Sequence, residues 1–346
     1  MAAGQDESTR LITQEMQQNR GRIYALLPQM RLYHRLLRSQ VWLPFVMRGC
    51  LPHINREELH TDQWGLRRTI GRDGRILTVE SVPRDEPVDI VTGSSFAFGV
   101  GASSDAATLS SRIAQETGRA TVLLSGHQYG LAQSFVQFMF FSGRYRNIRN
   151  IVIAGFGEIF YFHTCASLFR QFGTFPNNEQ FLSGLNGELT GKLGNALYGA
   201  ENRAFVPLTH KPERFEAERE LLRETIRDVL TSWARFAATL GARLTVVMQP
   251  SPTLQPRRWS PEETELLQNY DSVSGLRETF DRCKRDYLEW HGADMQALAE
   301  ELGFVWIDIN GKLDARRDGE WLHIDHIHMT DQGNQRAVEE ILPALA

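Results

Sequence analysis

Cysteine is scarce in this chain. Three residues, Cys50, Cys165 and Cys283, lie far apart in 346 residues. An odd, sparse set without CxxC spacing excludes a disulfide framework and a zinc knuckle. Neither charge sign dominates: 38 Lys plus Arg stand against 42 Asp plus Glu, a net −4. A nucleic-acid-binding surface would need a basic excess, so no nucleic-acid partner is expected. Long hydrophobic runs are missing too. The most apolar short stretch, Val41 to Met47, ends at Arg48. It falls far short of the ~20 apolar residues that span a bilayer, so no membrane association is expected. The opening MAAGQDESTR has early acids and no apolar core, which argues against a secretory signal. A cytoplasmic setting is the expectation. The chain also lacks internal repeats and low-complexity tracts.

What is present is ordinary globular composition, 42% apolar and 23% charged, in a chain long enough to bury a large core. Residues 9–40 carry apolar positions at three-to-four spacing. Gly21 and Pro28 interrupt them, which predicts two short helices. Residues 60–82 predict a hairpin around Asp73-Gly74, with Ile76–Val79 as a short strand.

From residue 88 the rhythm changes. Five short apolar strands are expected at Val88–Thr92, Ala120–Leu124, Asn150–Ala154, Leu244–Met248 and Phe304–Asp308. Helices are expected between them, at Thr108–Thr117, Leu131–Phe141 and 213–240, with a last one at about 332–345. Fully apolar strands alternating with helices predict a parallel sheet covered on both faces. Ligands then bind beyond the carboxyl ends of the strands. The glycine- and asparagine-rich stretch 165–212 breaks the rhythm and reads as a cap beside the site. The expected organisation is a helical and hairpin extension over 1–87, then an α/β domain over 88–346 carrying that insertion.

Two places can carry chemistry. Ser95 follows the first strand at the entrance of a glycine-rich turn, where a serine can serve as nucleophile if a base reaches it. The plain alternative is a turn serine or a helix cap. The second place is Trp321-Leu-His-Ile-Asp-His-Ile-His-Met-Thr330, between the fifth strand and the last helix. Thr330 suits the N-cap of that helix. An Asp three residues before a His lets the carboxylate hold one imidazole nitrogen while the other faces a nucleophile, and Asp325 and His328 have this spacing. Strand-like alternation would put His326 and His328 on one side, so spacing alone does not choose between them. His323, Asp325, His326 and His328 also admit a metal reading, although the HExxH pattern is missing.

These segments together resemble the sequence blocks of the SGNH (GDSL-like) hydrolase superfamily. Gly93-Ser-Ser-Phe-Ala-Phe-Gly99 is similar to its first block, G-D-S-x-x-x-G. Ser125-Gly126-His-Gln-Tyr-Gly130 resembles the second, and Ala154-Gly-Phe-Gly157-Glu158 stands where G-x-N-D is expected. Asp325 to Asn334 resembles the closing D-x-x-H and T-x-x-G-N. The likeness covers about residues 88–345. It implies a three-layer α/β sandwich of flavodoxin-like kind. It further implies Ser95 as nucleophile, His328 as base and Asp325 as its orienting partner. The oxyanion hole would use the N–H groups of Ser95 and Gly126 and the third-block position, here Gly157. His127, Gln128 and Glu158 are the implied substrate-side residues, and Glu158 also reads as an acid beside a helix dipole.

Two departures stand out. Ser94 replaces the block-one Asp, and Gly157 replaces the block-three Asn. One oxyanion donor is worth about two to three orders of magnitude in rate. Its loss implies a weak enzyme, a changed function or a substitute donor, for which Gly157 N–H, His127, Gln128 and Asn334 are candidates.

Within residues 50–70, Asn55 to Arg68 resembles the N-x-x-G-x-R lead-in of some SGNH proteins but reads more simply as an ancillary hairpin on the sheet edge. Arg257-Arg258 can meet an anionic substrate tail or merely be solvated. The resemblance implies a serine-dependent acyl hydrolase or acyltransferase acting on a small or carrier-bound ester or thioester, without metal or organic cofactor. The alternatives are a binding or regulatory protein on a degenerate hydrolase scaffold and a metal-dependent enzyme. A fainter resemblance is to bacterial SGNH-like proteins of secondary-metabolite clusters, some described as inducers of phenazine production.

Overall fold

The computed structural model describes residues 20–36, 41–43, 45–155, 158–164, 215–274 and 277–346. The expected cap over 165–212 and the first 19 residues lie outside them. Strand β5 (Val88–Gly93) is central to a five-stranded sheet with β6 (Ala120–Ser125), β7 (Ile148–Gly155), β8 (Arg243–Met248) and β9 (Val305–Asp308). The order is β6-β5-β7-β8-β9, and every pairing is parallel.

Successive strand residues face opposite sides, and both sides are apolar. Ile90, Val122, Ile151, Ile153 and Val246 pack beneath helices α4 (Leu131–Ser142), α6 (Phe215–Leu240) and α9 (Gly292–Leu302). Trp233 of α6 is fully buried there, with its ring 4.9 Å from Phe135 and 5.0 Å from Phe138. Val91, Leu123, Val152, Val247 and Ile307 pack beneath α3 (Leu109–Thr117) and α10 (Asp331–Ile341). Helix, sheet and helix make three layers, as the strand pattern predicts. Among the described residues no helix is long and apolar enough to cross a membrane.

The N-terminal segment forms a helix over 20–26 and α1 (Met30–Leu36), divided at Pro28 as expected. A hairpin of β1 (Val41–Leu43) and β2 (Met47–Gly49), which the sequence reading passed over, follows. The expected hairpin is present as β3 (Thr69–Ile70) and β4 (Ile76–Leu77), with Gly74 at φ 76° in its turn. Between β8 and β9 the structure adds α7 (Pro261–Ser274), α8 (Arg277–Asp286) and one π-helical turn, Tyr287–His291, leading into α9.

Candidate active site

The site is built where the strands end. Gly93 closes β5 with φ 134°, and a Cβ there would lie 1.9 Å from the Ala154 carbonyl oxygen of β7. Glycine is therefore required for the chain to cross its neighbour so closely. Ser94 follows, its N–H donating to Ala154 O at 3.1 Å. Its hydroxyl accepts from Phe96 N–H and donates to Gln249 Oε1 at 3.0 Å. Ser95 then opens α2, a single turn Ser95–Phe98 that ends at Gly99 with φ 81°. Its own N–H belongs to the first turn, which has no intrahelical acceptor. The exit of the turn is held by Arg67, whose Nη1 donates to Phe98 O at 3.1 Å and Gly99 O at 2.9 Å. Residues 55–67 are therefore not ancillary. Arg67 is fully buried beneath the end of the Ser95 turn, donating to its last carbonyls, and Asp105 neutralises it at 2.8 Å.

The loop after β9 arrives from the other side. Ile324 N–H donates to His328 O at 2.9 Å and Thr330 N–H to Leu322 O at 2.9 Å, closing residues 322–330 on themselves. Thr330 caps α10 by accepting from Gly333 N–H at 3.1 Å, as expected. Inside the loop Asp325 Oδ1 accepts the N–H groups of Ile327 and His328, each at 2.8 Å. Its other oxygen meets His328 Nδ1 at 2.8 Å, and His328 Nε2 lies 3.0 Å from Ser95 Oγ. Burial opposes ionisation of Asp325. The adjacent His328 and the backbone N–H bonds overcome it and hold the carboxyl at about 2. This aspartate stays ionised and fixes Nδ1 of His328 as the protonated nitrogen, which leaves Nε2 to accept from the serine.

The competing histidines separate. Residues 325–328 turn about the Asp325 side chain rather than running extended, so His326 and His328 do not share a side. His326 Nε2 pairs with Asp271 of α7 at 2.7 Å, and its ring stacks on Phe280 at 4.4 Å. His323 is buried, and its Nε2 accepts from the Gln255 amide at 2.8 Å. Burial, then the charge of Arg257, lower its pKa far below the usual imidazole range. Among the described residues no group of three or more His, Cys, Asp or Glu is placed to hold a metal ion. Arg257 does not face solvent. It is buried against Glu263 at 3.0 Å, and Glu263 accepts the N–H groups of Leu322 and His323. Arg258 is exposed beside Asp318.

The remaining expected residues divide. A Cβ on Gly126 would strike the Tyr129 ring at 2.4 Å, so the second block needs its glycine for close packing. His127 is buried against Phe98, ring centroids 4.4 Å apart, and neither ring nitrogen has a hydrogen-bond partner among the described residues. Burial, then the neighbouring His328, Arg48 and Arg67, lower it to about 3, so it is neutral. Gln128 has φ 61°, and Arg48 donates to its Oε1. Glu158 opens α5 (Glu158–Thr164), and one carboxylate oxygen accepts Leu131 N–H at the start of α4. Its other oxygen is buried without a partner among the described residues, and burial pushes its pKa up to about 7 despite that bond. Asn334 donates to Ala107 O within the α3–α10 layer. Gly157 lies outside the described residues.

No family model matches this chain, and no curated protein does. Among solved structures it is similar to a GDSL-like lipase from Bacteroides thetaiotaomicron at 10% identity and TM-score 0.37, covering 77% of this chain and 93% of that one. It is also similar to a member of the lipolytic G-D-S-L family from Veillonella parvula, at 9% identity and TM-score 0.38 over 74% and 96% of the two chains. A third is TesA, at 13% and 0.38 over 75% and 97%.

Proposed function

We propose that this protein is a serine-dependent acyl hydrolase or acyltransferase of the SGNH kind, acting on an ester or thioester through an acyl-enzyme on Ser95. The observation that carries the proposal is the continuous chain from Ser95 Oγ to His328 Nε2 at 3.0 Å and from His328 Nδ1 to Asp325 at 2.8 Å. His328 takes the hydroxyl proton as Ser95 Oγ bonds to the acyl carbon. The carbonyl electrons move to oxygen, which the N–H groups of Ser95 and Gly126 receive. His328 returns the proton to the departing alcohol or thiol. Water then gives hydrolysis, whereas a second alcohol, thiol or amine gives transfer. Asp325 stays ionised and stabilises the imidazolium in both halves of the cycle. A small or carrier-bound substrate of specialised metabolism in the cytoplasm is the finer reading.

A fluorophosphonate probe tests it. The wild-type chain should label on one serine, and Ser95→Ala should abolish labelling. A folded but unlabelled wild type would favour the alternative of a binding protein on a hydrolase scaffold.

A further inference from the structure

Gln249 lies just beyond β8 and is buried, at 1% exposure. Its Oε1 accepts the Ser94 hydroxyl at 3.0 Å, and its Nε2 donates to Ile327 O. Its main-chain N–H donates to Gly155 O at 2.8 Å at the end of β7, and Asn310 Nδ2 donates to its carbonyl at 3.4 Å. One side chain thus joins the residue before Ser95 to the residue before His328. The backbone of the same residue joins the ends of β7, β8 and the loop after β9. Ser95 lies on the turn after β5 and His328 in the loop after β9, and their own contact is 3.0 Å.

The geometry points to Gln249 as a positioning residue that sets the distance and angle between Ser95 and His328. This rests on the acyl-transfer reading. An amide suits the chemistry at neutral pH. Ser94 presents a hydroxyl proton, and Ile327 presents a carbonyl oxygen. The bridging group must therefore accept at one end and donate at the other. A carboxylate accepts at both ends and would face the Ile327 oxygen with like polarity. A thioether does neither well. A loosened bridge lets the two loops drift, and a displacement of about 1 Å costs about a hundredfold in rate.

The experiment compares fluorophosphonate labelling of the wild type, Gln249→Met and Gln249→Glu from pH 5 to 9, with circular dichroism to confirm folding. The maximal labelling rate of Gln249→Met should fall by about tenfold to a hundredfold, while the probe concentration giving half that rate stays unchanged. Gln249→Glu should be equally slow at high pH. Its rate relative to wild type should rise as pH falls, because the protonated carboxyl regains the donor that Ile327 needs, and burial raises the pKa of such a group. A merely structural loss would leave that ratio flat. Should Gln249→Met fail to fold, the pH ratio of Gln249→Glu decides alone. Labelling wild type with variants equally fast, or a flat ratio, overturns the positioning role and leaves the hydrolase reading standing. A wild type that does not label overturns both.

Discussion

Three imidazoles within six residues meet three fates. His328 faces Ser95, His326 is clamped between Asp271 and Phe280, and His323 is buried neutral on Gln255. His328→Ala should cut turnover by about four to six orders of magnitude, as removal of a triad base does. His326→Ala should instead cost stability, about 1–3 kcal/mol from the lost hydrogen bond to Asp271 and the lost stack on Phe280, with a far smaller loss of turnover. Parallel kinetics and urea unfolding of the two variants check this ranking. Glu158 adds a pH effect. Its carboxyl titrates at about 7 in the fold against 4.5 ordinarily, so the folded state binds a proton that the unfolded state has released. Its contribution is complete below the ordinary value and is lost as pH rises through 7. Glu158→Gln should therefore gain stability over wild type between pH 5 and pH 8, by up to about 3 kcal/mol. Urea unfolding at the two pH values measures it, and a constant difference would refute the assignment. Asp325 and His328 were readable as a pair from their three-residue spacing, whereas Ser95, and His328 over His326, were marked by the likeness of the sequence blocks. Neither signal marked Gln249, because an amide that bridges two loops follows no spacing rule.

At the level of elements, the serine turn depends on residues that never touch substrate. Gly93→Ala should be among the most damaging single substitutions in the sheet, since the added carbon meets the β7 backbone and the φ of 134° disfavours any side chain. Arg67→Leu removes one donor to Asp105, which keeps Arg68 and His60, and takes the arginine donor from the Phe98, Gly99 and Glu58 carbonyls. Leaving a buried polar group without its partner costs about 1–3 kcal/mol. Calorimetry should show that loss, with slower labelling of Ser95 in whatever folds. The five strands were legible because parallel strands buried on both faces are continuous apolar runs. Helices α7 to α9 were not. Several inward positions there are polar, with Glu263 of α7, Asp286 of α8 and His291 of the π-helical turn all buried, so the apolar period is broken where these elements pack. The role of residues 55–67 was hidden for a similar reason, since a buried arginine looks like any other in a chain with so many.

For the whole molecule, the extension and the α/β layers share a core. Leu27, Met30, Tyr33, Leu36, Cys50 and Leu59 form one cluster with Phe98, Val100, Leu266 and Ile324. Phe98 closes the serine turn, and Ile324 precedes Asp325. A fragment beginning at residue 88 would expose this surface. It should be insoluble or molten, with weak near-ultraviolet dichroism, whereas a well-folded fragment would show that the extension is dispensable. The order of assembly follows from the contact between Ser95 and His328, which lie 233 residues apart in the chain. During synthesis Ser95 emerges 233 residues before His328, and chains grow at about 5–20 residues per second. For most of that time the nascent protein holds an unactivated hydroxyl with no imidazole to deprotonate it. On the acyl-transfer reading, Ser95 becomes reactive only after residue 328 has been made and folded, so a ribosome that stalls before it should release a product that a fluorophosphonate does not label.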